Sequence, residues 1–150
     1  MLHIYTDGAC KRNGKMNPSG GVGVFFGHND ERNIAEKLQG EPQTNQRAEL
    51  SAILRALEVA PLDTPVMIVT DSSYSINCLT KWRAGFERNG WNTSKGEPVK
   101  NVDLIKGVIT CIEARKARGT RTEFEWCKGH ANHPGNVAAD LLAVKGAQGW

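Results

Sequence analysis

The spacing of apolar residues changes period several times along the chain, and each change predicts an element. Leu2 to Gly8, LHIYTDG, alternates apolar and polar positions and predicts a strand that ends on Asp7 and breaks at Gly8. Val22 to Phe26 and Ile34 to Leu38 predict two more strands around a turn at His28, Asn29 and Asp30, which makes an antiparallel meander with the first. Thr44 and Asn45 can cap a helix in which Leu50, Ile53, Leu54 and Leu57 recur at helical spacing before Pro61. Val66 to Thr70, an unbroken apolar run between Pro65 and Asp71, has the mark of a strand buried on both faces.

A helix follows with Tyr74, Ile76, Cys78 and Leu79. Asn101 can cap another, with Val102, Ile105, Val108, Ile109 and Ile112 at helical period. Thr122 to Cys127 alternates Phe124 and Trp126 with charges and predicts a last central strand. Pro134 is placed to open a final helix carrying Val137, Asp140, Leu141 and Val144. The order is three strands, helix, strand, helices, strand, helix. Right-handed crossovers make the first, fourth and fifth strands a parallel trio with the hairpin on one side, an α/β arrangement.

The connecting segments narrow the picture. ACKRNGKMNPSGG after Gly8 is a loop by composition, and the Gly20 to Gly23 cluster lies between strands, so it predicts a hairpin feature rather than a nucleotide loop. Lys81 to Asn101 interleaves Lys and Arg with Trp82, Phe86 and Trp91, which suits a phosphate backbone or a stacked base. A solvated loop anchored by two core tryptophans is the alternative.

Composition adds bounds. A length of 150 residues fits one domain, residues 1 to 150; 23% charged and 39% hydrophobic residues argue against disorder. No apolar run reaches membrane-span length and the first residues enter a strand without a leader, so a cytoplasmic protein without membrane partners is expected. Cys10, Cys78, Cys111 and Cys127 form no CxxC pair and are expected as free thiols. The net charge of +3 leans weakly toward an anionic partner.

The candidate chemistry lies in four acids. Asp7 and Asp71 end neighbouring parallel strands, and Glu49 and Asp140 fall early in the first and last helices, so all are expected at element ends on one sheet edge. Carboxylates so gathered repel unless cations occupy them, and hard divalent ions fit oxygen ligands. Magnesium leads because it takes a few carboxylates and leaves positions for water and phosphate. Two such ions about 4 Å apart suit hydrolysis of a phosphodiester.

TDG at 6 to 8, TNQRAEL at 44 to 50, VTDSSYSI at 69 to 76, GWNTS at 90 to 94 and KGHANHPGNVAAD at 128 to 140 resemble, in order and spacing, type 1 ribonuclease H. The resemblance implies the ribonuclease H-like fold, a five-stranded mixed sheet of order 3-2-1-4-5 flanked by helices on both faces. The implied activity is endonucleolytic cleavage of the RNA strand of an RNA–DNA hybrid, leaving 5′-phosphate and 3′-hydroxyl ends, with two Mg2+ ions per site and Mn2+ as a substitute. Asp7, Glu49, Asp71 and Asp140 match the family's metal-binding acids. His130 matches its proton-transfer or product-release histidine, and Asn136 a residue that places the last acid and the scissile phosphate. Asn13, Asn45 and Gln46, with the Cys10 backbone, resemble the residues that sense the RNA 2′-hydroxyl. Thr44 and Asn101 resemble the grip on a DNA phosphate, and Trp82 and Ser94 the packing against deoxyribose. Residues 81 to 100 match the basic handle. No obligate protein partner is evident, and a monomer is expected.

Three other readings remain open at this level. Cys127, His130 and His133 suggest zinc but supply only three ligands. Another metal nuclease of this fold arranges its acids differently along the chain, and a silent hybrid-binding module would commonly lack one of them.

Overall fold

The computed structural model describes residues 1 to 129 and 133 to 149. In chain order the elements are β1 (Leu2–Lys11), β2 (Ser19–Phe25), β3 (Ile34–Lys37), α1 (Asn45–Val59), β4 (Val66–Thr70), α2 (Ser73–Leu79), α3 (Arg83–Arg88), α4 (Val102–Ala117), β5 (Thr122–Trp126) and α5 (Pro134–Ala147). The five-stranded sheet has order β3-β2-β1-β4-β5. β1, β2 and β3 pair antiparallel, whereas β4 runs parallel to both β1 and β5. The expected meander and parallel trio are therefore present.

Strand alternation sorts the two faces of the sheet. Ile4, Val22, Val24 and Ile68 meet Leu50 and Ile53 of α1 and Ile105 and Val108 of α4, and each is 2% exposed or less. Thr44 caps α1 by accepting a hydrogen bond from Arg47 N at 3.2 Å. On the opposite face α5 lies against β2 with almost no side chain between them. A Cβ on Gly21 would stand 2.0 Å from Ala143 O, and one on Gly23 would stand 2.1 Å from Ala139 O. These glycines lie within the β1–β2 hairpin, as the sequence reading expected, and what they admit is the main chain of a helix. The final helix accordingly buries Ala139 and Ala143 and turns Val137 and Leu141 outward, 38% and 59% exposed. Close approach demands small residues on its inner face, so the apolar Val137 and Leu141 of the sequence reading do not form it.

Four further features differ from the sequence reading. β1 runs three residues past Gly8, because Gly8 marks a close approach and not a break: its Cβ would lie 2.4 Å from Glu49 N. β5 is an edge strand paired only with β4 and is half exposed, which explains its alternation with charges. The basic segment holds the short helix α3, and Trp82 before it is 39% exposed, so it is not a core anchor; Phe86 and Trp91 do pack against the core. Asn101 occupies the position before α4 with φ of 61°, but its side chain makes no cap bond.

A buried cation pins the far end of the molecule. Arg115, 0% exposed, donates to Pro61 O, Thr64 O and Thr122 Oγ1 and so joins α4 to the loop before β4 and to β5. All four cysteines are free thiols. Among the described residues no helix is long and apolar enough to cross a membrane.

Candidate metal and nucleic-acid site

The site lies where the sheet splits. β4 pairs with β1 only as far as Tyr5 with Val69, then ends at Thr70, so Asp71 comes level with Asp7 just beyond the last paired residues. β1 continues alone on that side. Asp7 pairs with Gly23 and therefore lies on the α5 face, whereas Gly8 receives α1 on the other. Acids from both faces can meet in the gap between the two strands. Asp7 and Asp140 thus come from within elements, on β1 and in the middle of α5, and not from element ends. Proximity to the sheet edge is retained by the split, which the ligand-binding rule for open α/β sheets leads one to expect.

Ligand oxygens of Asp7, Glu49 and Asp71 all lie within 4.8 Å of one another. Asp7, 3% exposed, is within side-chain hydrogen-bonding reach of both Glu49 and Asp140 and accepts from Gly8 N at 2.9 Å. Burial, followed by the Asp71 charge, pushes the Asp7 carboxyl up to about 8, Asp140 adding to the rise and the Glu49 hydrogen bond opposing it. Burial and the charges of Asp7 and Asp71 also drive Glu49 well above the carboxylate range. Glu49 Oε2 is buried without a hydrogen-bond partner. A divalent cation answers all three observations at once: it partners the orphaned oxygen, neutralises the mutual repulsion and takes hard oxygen donors. The acidic cluster can therefore hold a metal ion.

Neighbouring residues shape the pocket mouth. Trp126 Nε1 donates to Asp71 O at 3.1 Å, and a Cβ on Gly129 would stand 2.8 Å from Asp71 Oδ2. Cys127 is buried, and burial together with Asp71 and Asp7 holds its thiol up to about 11. Among the described residues neither Cys127 nor His133 joins the converging ligand atoms, and His130 lies outside them, so the zinc alternative gains nothing.

The other expected residues lie on the loop after β1, the start of α1, the segment around α3, and α5. Asn13 Oδ1 accepts from Asn45 N at 3.2 Å, which draws the loop after β1 onto the start of α1. Cys10 Sγ donates to Gln43 O at 3.4 Å. Asn45 and Gln46 are exposed on the first turn of α1. Asn136 is fully buried one helical turn before Asp140, on the same side of α5. A groove of about 370 Å³ runs between Gln46, Tyr74, Trp82, Phe86 and Lys100. Ser94 is exposed in the turn beyond it.

Three residues here carried no chemical signal in the sequence. Gln43 receives Gly20 N at 2.7 Å and donates to Leu38 O and Gly40 O, so it sets the path of the loop leading to Thr44. Arg47, 7% exposed, makes two 2.9 Å bonds to Asp103, which tie α1 to the first turn of α4. Tyr74, whose sequence signal was only its place in a helical period, accepts from Asn101 Nδ2 at 3.0 Å.

Comparison with known proteins agrees with this geometry. The family model for RNase H matches residues 1–148. A ribonuclease H of Schizosaccharomyces pombe is 45% identical over 144 residues, covering 96% of this chain and 52% of that protein. One from Alcanivorax borkumensis is 40% identical over 144 residues, covering 95% and 89%. The chain thus spans about half of the first relative and most of the second. A solved foamy viral protease-reverse transcriptase in complex with RNA/DNA hybrid superimposes with a TM-score of 0.70 at 25% identity, covering 97% of this chain and 20% of that one. Split sheet, convergent carboxylates and whole-length sequence match together place this chain in the ribonuclease H family.

Proposed function

We infer that the chain is an endonuclease that hydrolyses the RNA strand of an RNA–DNA hybrid, leaving 5′-phosphate and 3′-hydroxyl ends. The observation that carries this reading is the convergence of Asp7, Glu49 and Asp71 within 4.8 Å, with Asp140 in reach of Asp7. Family membership, and a hybrid complex among the structural neighbours, support the choice of substrate. Asp7, Glu49, Asp71 and Asp140 are the residues that hold two Mg2+ ions, with Mn2+ as a substitute. When bound, the pair neutralises charge at a phosphodiester undergoing in-line displacement by water.

The chain's own groups do the rest. Asn13, Asn45 and Gln46, with the Cys10 backbone, read the RNA 2′-hydroxyl, which is both donor and acceptor. Thr44 and Asn101 grip a DNA phosphate, and Trp82 and Ser94 pack against deoxyriboses, where a 2′-hydroxyl would clash. Asn136 orients Asp140 from the preceding turn of α5. His130, outside the described residues, moves a proton near neutral pH or assists product release. The basic segment from 81 to 100 holds the phosphate backbone, and the enzyme works in the cytoplasm as a monomer.

Labelled RNA–DNA hybrid, duplex DNA and duplex RNA, each incubated with Mg2+ and with excess EDTA, test the reading. Cleavage of the hybrid's RNA strand alone, abolished by EDTA, is expected; comparable cutting of duplex DNA overturns it.

A further inference from the structure

We propose that Tyr74 is a positioning residue for DNA-strand recognition: its hydroxyl fixes the direction of the Asn101 side chain and so aims the DNA grip relative to the catalytic carboxylates. This rests on the reading of Asn101 as a phosphate contact. Asn101 stands before α4 in the left-handed region, with φ of 61° and ψ of 24°, and it makes no cap bond. A residue there ordinarily turns its amide inward to the helix's first free N–H groups. Here the amide is held outside that role, donating through Nδ2 to Tyr74 Oη at 3.0 Å.

Tyr74 is well placed to act as the joint. It follows Asp71 by three residues, in the first turn of α2, so its position is tied to the carboxylate at the end of β4. Its ring meets Trp82 edge-on with centroids 6.2 Å apart, and both rings line the groove that also holds Gln46 and Lys100. One side chain thereby touches two residues assigned to the DNA strand. The start of α4 is fixed independently by Arg47 and Asp103, so the helix itself does not depend on Tyr74. What the hydroxyl adds is the direction of the Asn101 amide. Burial pushes the phenol up to about 12, and the contact does not depend on its proton, because the Asn101 amide donates to the hydroxyl oxygen.

Tyr74→Phe keeps the ring and removes the hydroxyl's contacts with Asn101 and with Cys78, and the Asn101→Ala background separates the two. Steady-state cleavage of the hybrid should show KM raised about three- to tenfold, the worth of one neutral hydrogen bond, with kcat changed less than twofold. In an Asn101→Ala background the same substitution should raise KM less than twofold, because the amide it orients is gone. An unchanged KM for Tyr74→Phe, or an equal rise in both backgrounds, overturns the proposal. If Asn101→Ala alone leaves KM unaltered, the phosphate grip itself is wrong, a failure distinct from an uncoupled Tyr74. A second measurement uses hybrids carrying one neutral methylphosphonate at successive DNA positions. The substitution that most impairs the native protein should impair Tyr74→Phe distinctly less, and an identical penalty in both proteins also overturns the proposal.

Discussion

Asp7→Asn should stabilise the metal-free protein, and the effect can be sized from the site. Asp7 is 3% exposed, and its carboxyl is pushed up to about 8 against an ordinary 3.8. Folding without metal therefore requires this group to take up a proton at neutral pH. Each pK unit is worth about 1.4 kcal/mol, so the roughly three units between 3.8 and pH 7 set an upper bound of about 4 kcal/mol. Part of that is shared with Glu49, which leaves a gain of roughly 2–4 kcal/mol for a neutral isostere that still accepts from Gly8 N. For a chain of this size the rise in Tm is on the order of 10 °C.

The sign fixes the pH window. A carboxyl raised in the folded state contributes its full stability below the unfolded value of 3.8, and that contribution is lost as pH climbs toward about 8. The gap between variant and native protein should therefore widen over this interval. Thermal melts in EDTA at about pH 5, 7 and 8.5 measure it. Adding Mg2+ at the highest pH should raise the native Tm and the variant's much less, while hybrid cleavage by the variant is abolished. A variant that melts at or below the native protein in EDTA near pH 8 refutes the picture of a repulsive, desolvated cluster.

Three other substitutions probe separate parts of the argument. Gly23→Ala places a methyl against Ala139 O and should cost about 3 kcal/mol in urea unfolding while weakening Mg2+ binding measured by calorimetry, because α5 carries Asp140. Arg115→Lys cannot serve all three of its acceptors and should cost about 2 kcal/mol in the same unfolding assay, with kcat unchanged because the site lies at the opposite sheet end. His130→Ala should slow steady-state turnover of the hybrid without eliminating it; a loss as complete as that of Asp7→Asn would show that its role has been misassigned.

How much was legible beforehand depended on whether a residue's signal was local. The period of α1 was clear because one of its faces packs on the sheet, the apolar run of β4 because both of its faces are covered, and the acids stood out because few other side chains serve hard cations. Gly8 was misread because one residue type marks both a chain break and a close approach, and only α1 distinguishes them. The inner face of α5 was hidden for a related reason: small residues carry little periodic signal, while Val137 and Leu141 carry much and point outward. α3 was masked by the charges and turn residues around it. Tyr74 and Arg47 were silent in the sequence because each acquires its role from a partner more than twenty residues away, Asn101 and Asp103.

The bare seam between α5 and β2 makes the fourth acid's identity adjustable and its location rigid. Chemistry at position 140 can be rewritten by exchanging one side chain, but no rotamer lies beneath the helix to absorb a shift. Anyone redesigning the ion spacing would have to rebuild polypeptide backbone, since side-chain repacking offers no adjustment there.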